Sequence, residues 1–222
     1  MKLGLIGLPM SGKTTLFNAL TGANRPTSVA VPGKLDIQLA VIGVPDPRLD
    51  TLSEMFKPRK TVPAQITYAD IGGLAKGISE GGLAGPFRNE LSQMDGFLHV
   101  LRAFENENVP HPEGSLDPAR DMAMLDDEFL LADLVTVENR LKKLQEEIGR
   151  GKDKAINQKE ADFFSALKAA LENGAPLRDK DIPLAEQNNL RGYGFLTLKP
   201  KLVLGNTGEE IKPAESYVKV SG

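Results

Sequence analysis

Gly7-Leu-Pro-Met-Ser-Gly-Lys13-Thr14 fits the pattern G-x-x-x-x-G-K-[ST]. These residue types at this spacing suit one task, the holding of a polyphosphate. Glycines let the backbone curl until successive N–H groups aim at phosphate oxygens. A helix starting after the loop offers its positive N-terminus to the same anions. In this pattern Lys13 reaches the β- and γ-phosphates and the Thr14 hydroxyl ligates Mg2+. Pro9, Met10, Ser11, Gly12, Lys13, Thr14 and Thr15 are therefore the predicted phosphate cradle.

Two further patterns bear on the same chemistry. Asp70-Ile-Gly-Gly73 fits D-x-x-G. An aspartate there holds Mg2+ through water, and the Gly73 N–H meets a γ-phosphate. Asn206-Thr207-Gly-Glu209 stands where a guanine-reading protein carries N-K-x-D. Glu209 is one methylene longer than that aspartate and Thr207 replaces the lysine. Taken alone, N-x-x-E reads equally as a plain loop.

The surrounding elements must place these groups together. Residues 2–7 (KLGLIG) predict a strand running into the loop, and Leu16, Phe17, Ala19 and Leu20 predict a helix stopped by Gly22. Residues 39–44, 64–70, 96–103 and 201–206 predict further strands, with a helix carrying Leu49, Leu52, Met55 and Phe56 between the first two of these. Strands alternating with helices predict an α/β fold with a mostly parallel sheet. From Asp117 to about Asn173 the signal is different. Apolar residues keep a three-to-four spacing on both sides of Gly149-Arg-Gly151, which predicts an inserted helical hairpin of coiled-coil type. Residues 113–138 hold eight acids against Arg120, and residues 140–154 hold six bases against three acids, so the hairpin tip is mildly basic. The expected organisation is a P-loop domain of residues 1–116 and 193–222 around an insertion of residues 117–192.

Composition removes other classes. The chain has 222 residues, 41% hydrophobic and 26% charged, the proportions of a globular protein. Its net charge of −3 gives no basic field for sequence-independent DNA binding. With no cysteine, thiolate zinc sites, cysteine nucleophiles and disulfides are excluded. No apolar run approaches a membrane span, and the N-terminus lacks a signal peptide's apolar core and cleavage site. The expectation is a cytoplasmic protein with no membrane and no sequence-specific DNA partner.

Together these segments resemble the YchF-type Obg-like ATPases, a branch of the translation-factor-related P-loop GTPases. The resemblance runs through Gly7–Thr21, Val44-Pro-Asp-Pro-Arg-Leu-Asp50, Asp70–Gly77 and His99-Val-Leu-Arg-Ala-Phe-Glu-Asn106. It continues through Leu131-Ala-Asp-Leu134, Phe195-Leu-Thr-Leu-Lys-Pro200 and Asn206-x-x-Glu209. It implies a G domain with a helical hairpin, a bound ATP or GTP with adenine tolerated or preferred, Mg2+, slow hydrolysis and a ribosomal or RNA-associated partner. His111 stands where family members also carry a histidine, a candidate to position the attacking water, although a loop histidine without a role fits the residues as well. His99, among apolar residues, reads as structural.

The chain departs from the pattern in places. Leu74 follows D-x-x-G where Ras-like enzymes place a water-orienting glutamine. Counting back from Pro45 puts Lys34 where the family carries a switch I threonine, and Thr27 and Ser28 are nearby hydroxyls. A fifth motif, a final strand and helix, and the family's C-terminal TGS domain do not follow Glu209. The expectation is a fragment whose incomplete sheet edge favours self-association. Two readings follow: a slow NTP-hydrolysing switch, or a catalytically weak nucleotide-binding module that docks a partner through the hairpin. A P-loop phosphotransferase would need a lid carrying arginines, and apart from Arg88 the region after D-x-x-G has few.

Overall fold

A computed structural model describes residues 1–24, 26, 36–72, 83, 85–151 and 153–207. The strands are β1 (Lys2–Ile6), β2 (Asp36–Gly43), β3 (Gln65–Gly72), β4 (Gly96–Arg102) and β5 (Lys201–Asn206). They form one sheet in the order β2-β3-β1-β4-β5. β1 pairs in parallel with β3 and β4, and β4 with β5, while β2 runs antiparallel to β3. The mostly parallel α/β sheet expected from sequence is the observed one. The predicted strand at 39–44 starts earlier, at Asp36, and pairs along its full length with β3.

The helices follow from their own stop and start residues. α1 (Lys13–Thr21) begins at Gly12 and ends at Gly22, both with left-handed backbone. α2 (Pro47–Phe56) has Asp46 as N-cap, its carboxylate accepting from the Arg48 N–H, and Pro47 at the first helical position. α3 spans Pro86–Ser92. The hairpin consists of α4 (Pro118–Gly149) and α5 (Lys154–Glu172), and α6 (Leu184–Leu190) leads toward β5.

Two cores meet along α4. Its first half lays Leu125, Phe129 and Ala132 onto the sheet, beside Ile6, Ile71, Leu91 and Phe97. The Phe97 and Phe129 rings are tilted at 5.2 Å between centroids, a geometry worth about 1 kcal/mol beyond area burial. Its second half packs Val137 against Phe164, Leu167 and Leu171 of α5. Across the two helices Arg140 makes a two-pronged ion pair with Glu160, 2.8 Å at each contact. One of the bases counted toward a basic tip is thereby neutralised.

A polar tie fixes α4 to the approach of β5. Asp133 is fully buried, and its carboxylate accepts from the Leu196 N–H (2.9 Å), the Thr197 N–H (2.7 Å) and the Thr197 hydroxyl (2.7 Å). Lys201 of β5 adds an ion pair with Asp126. The hairpin is therefore held to the strand that ends at Asn206.

Candidate nucleotide site

The parallel strands end together on one side of the sheet, and the phosphate loop follows directly from β1. Leu5 pairs with Asp70 across β1 and β3, so the D-x-x-G aspartate sits beside the start of the loop. The Thr14 hydroxyl donates to Asp70 Oδ2 at 2.7 Å. Two patterns separated by 56 residues thus converge on one point. Asp70 Oδ1 is buried and has no hydrogen-bond partner among the described residues. A buried carboxylate oxygen without a partner is costly, and beside a hydroxyl it suits a hard cation. Thr14 and Asp70 therefore fit Mg2+.

Lys13 folds over its own loop. Its ammonium donates to the carbonyls of Gly7 (3.0 Å) and Leu8 (2.8 Å). Enclosure lowers its pKa to about 8, partly offset by the nearby Asp70 charge. Loss of solvation makes this cation a strong ligand for an incoming anion. The loop itself is tight. A Cβ at Gly7 would lie 2.3 Å from the Val100 carbonyl, and one at Gly12 would lie 2.2 Å from Asn206 Nδ2. Gly12 also has φ +96, a conformation that disfavours side chains. Met10 is left-handed at φ 61, which costs of order 1 kcal/mol in a non-glycine residue. Ser11 is buried with no partner for its hydroxyl among the described residues.

Asn206 joins the far strand to the loop, its side-chain amide donating to the Ser11 carbonyl at 3.1 Å. Between α1 and the end of β5 lies a cleft of about 290 Å³, walled by Leu16, Ala19, Val100 and Leu204 and rimmed by Asn206 and Thr207. Apolar walls with a few polar groups at one edge are what a nucleobase requires. Of the sequence-predicted site residues, Pro9, Met10, Ser11, Gly12, Lys13, Thr14, Thr15, Asp70, Asn206 and Thr207 share this end of the sheet. Gly73, Leu74 and Glu209 lie outside the described residues, as do Thr27, Ser28 and Lys34 of the switch I question.

His111 is engaged elsewhere. Its Nδ1 accepts from the Glu113 N–H at 3.1 Å, so Nε2 carries the proton and meets Asp121 Oδ2 at 2.9 Å. Both members of the pair are buried. Arg120 supports the same carboxylate at 2.8 Å. The loop ahead of His111 is held by Arg102, whose buried guanidinium donates to the Phe104 (3.1 Å) and Val109 (2.7 Å) carbonyls. None of these partners belongs to the phosphate loop. His99 is fully buried in β4. Burial, with the Lys201 and Lys13 charges, pushes its pKa down to about 3, so it stays neutral. Sequence reasoning did not single out Asp121, Asp133 or Arg102 for these roles, because no residue pattern marks which side chain or carbonyl each of them bonds.

Comparison with known proteins gives a consistent outcome. A family model described as "50S ribosome-binding GTPase" matches residues 2–167. The chain is 38% identical over 210 residues to the ribosome-binding ATPase YchF of Escherichia coli O157:H7, covering 94% of this chain and 57% of that protein. The Bacillus subtilis protein of the same name is 36% identical, with 93% and 56% covered. Among solved structures, the Schizosaccharomyces pombe YchF GTPase matches with a TM-score of 0.75 at 33% identity, covering 94% of this chain and 57% of that one. The chain thus spans little over half the length of these relatives. The resemblance to YchF-type proteins drawn from the motifs agrees with them.

Proposed function

The chain belongs to the 50S ribosome-binding GTPase family, and from that premise we propose that it is a slow, Mg2+-dependent nucleotide switch that hydrolyses ATP, or less readily GTP, and acts at the ribosome in the cytoplasm. The observation that carries the reading is the meeting of Thr14 and Asp70 at 2.7 Å, with Asp70 Oδ1 left unpartnered among the described residues. Thr14 and Asp70 would hold Mg2+, which would supply positive charge to the bound polyphosphate. Phosphate oxygens replace the Gly7 and Leu8 carbonyls as acceptors of the Lys13 ammonium. The loop backbone and the N-terminus of α1 take the remaining oxygens. The cleft beside Leu204 takes the base, with Asn206 and Thr207 at its polar edge, and the N-x-x-E pattern makes Glu209 the proposed reader of the base. The Gly73 N–H meets the γ-phosphate, and water attacks that phosphorus in line. Residues 117–192 form the docking element, and residues 1–116 with 193–222 form the G domain. Self-association through the edge that β5 forms among the described residues belongs to the same proposal.

Parallel titration of fluorescent ATP and GTP analogues tests it. ATP is expected to bind more tightly than GTP, and chelation of Mg2+ to weaken both at least about tenfold. Tighter GTP binding would reverse the base preference, and binding of neither nucleotide would defeat the proposal. The pH dependence gives a second test. Phosphate binding requires the Lys13 ammonium, and only about a tenth of the free protein carries it at pH 9 if its pKa is about 8. ATP affinity is expected to fall about tenfold from pH 7 to pH 9, with uptake of close to one proton on binding at pH 9. Calorimetry in buffers of different ionisation enthalpy measures that proton, and a flat profile would contradict the role of Lys13.

A second reading is favoured by the His111–Asp121 pair. With Leu74 unable to orient water and His111 held by Asp121, the protein would bind nucleotide and turn it over poorly. His111 then serves as a water-positioning residue only when that pair opens. Single-turnover hydrolysis separates the two readings.

A further inference from the structure

The antiparallel β2–β3 pair carries a corner that the nucleotide chemistry does not use. α2 buries none of its residues. Met55, Phe56 and Val62 are 68%, 72% and 58% exposed, a concentration of apolar surface that isolated surface residues do not explain. Directly beside them, Lys57, Arg59 and Lys60 are all exposed, and residues 55–62 contain no acid. None of the three bases makes an ion pair among the described residues. Lys57 holds a left-handed backbone at φ 44, where glycine would be cheaper. A chain of net charge −3 thus sets three exposed cations, without ion pairs among the described residues, close in sequence to an exposed aromatic ring.

The corner faces away from the phosphate loop. Gln65, at its end of β3, lies five residues before Asp70, about 17 Å along the strand. A partner can therefore sit there without blocking the nucleotide.

We propose that the α2–β3 corner, Met55 to Val62, is an RNA-contacting surface, with Lys57, Arg59 and Lys60 on phosphates and Phe56 stacked on an unpaired base. Charge complementarity selects a polyanion. The exposed ring beside the cations selects RNA, whose unpaired bases stack on aromatic side chains. The proposal rests on the ribosomal part of the reading above, and it names a surface other than the hairpin. The hairpin tip is the less one-sided in charge, because residues 140–154 intersperse three acids among their bases while residues 55–62 hold none.

The test uses this whole chain and protein-free RNA from large ribosomal subunits, with binding followed by fluorescence anisotropy. Three phosphate contacts predict that wild-type affinity falls about 20- to 40-fold between about 50 and 200 mM salt. Lys57→Gln/Arg59→Gln/Lys60→Gln is expected to flatten the salt slope by about 2 to 3 units. Phe56→Ala is expected to weaken binding at least about fivefold without changing that slope. ATP-analogue affinity should stay at the wild-type value in both variants, which also reports that they fold. Variants that bind RNA like the wild type would overturn the proposal. So would wild-type flotation with phosphatidylserine vesicles in the absence of RNA binding, which would make the corner a membrane contact. Failure of the wild type to bind nucleotide while these RNA effects persist would defeat the switch reading and leave the surface standing.

Discussion

Replacing Lys13 by alanine is expected to weaken ATP binding at least about 100-fold and to remove measurable turnover. The ammonium is already poised at the phosphate loop, 3.0 Å from the Gly7 carbonyl and 2.8 Å from the Leu8 carbonyl. Its lowered pKa of about 8 shows how poorly this position solvates the charge. A bound phosphate restores that solvation with charge-assisted hydrogen bonds worth about 1.5–3 kcal/mol each. Two such bonds account for a factor of about 10² or more. The variant's far-ultraviolet circular dichroism should match the wild type, because Lys13 supports no packing beyond its own loop. The check is equilibrium titration with a fluorescent ATP analogue. Binding within about threefold of the wild type would remove the phosphate-loop assignment and the function built on it.

The second large effect is structural. Asp133→Ala is expected to destabilise the fold by about 3–5 kcal/mol, because it removes the acceptor of three buried hydrogen bonds. Asp133 has no exposed surface and receives three donors, from Leu196 and Thr197. Alanine leaves two backbone N–H groups and a hydroxyl in a dry interior, each costing about 1–3 kcal/mol. For a chain of this size, the loss corresponds to a fall in melting temperature of roughly 6–20 °C. Thermal and urea unfolding of the two proteins measure it. A change of under about 2 °C would mean that the segment before β5 finds other acceptors, and that the hairpin is not tied to the nucleotide end through this carboxylate.

Much of the fold was legible in the residues. Alternation of short apolar runs with amphipathic stretches predicted the sheet strands within a few residues, because an extended segment leaves its signature in local β-propensity and period. The phosphate loop was legible for a related reason. Its chemistry depends on glycines, a lysine and a threonine that are contiguous in the chain, so spacing alone encodes it. The helical hairpin was equally visible, since Gly149 and Gly151 separate two long apolar periodicities.

Other features had no local signature. Asp133 and Thr197 each belong to a segment that carried the family resemblance, yet nothing in either segment predicted that they bond to each other. His111 reads from sequence either as a water-positioning candidate or as a loop residue without a role, and only the fold brings Asp121 to its Nε2. The exposed corner at Phe56 also depended on tertiary structure, because a helical apolar stripe normally reads as buried. Here α2 projects from the β2–β3 pair with no element packed over it among the described residues.

By itself, the sequence determined the fold class and the position of the phosphate loop. These follow from short-range periodicity and from contiguous backbone geometry. Tertiary structure alone decided that Thr14 meets Asp70, that Asn206 closes on Ser11 and that His111 is held by Asp121. Each of those contacts joins residues whose separation along the chain carries no energetic information. Only the register of the parallel strands and the path of α4 set the distances between them.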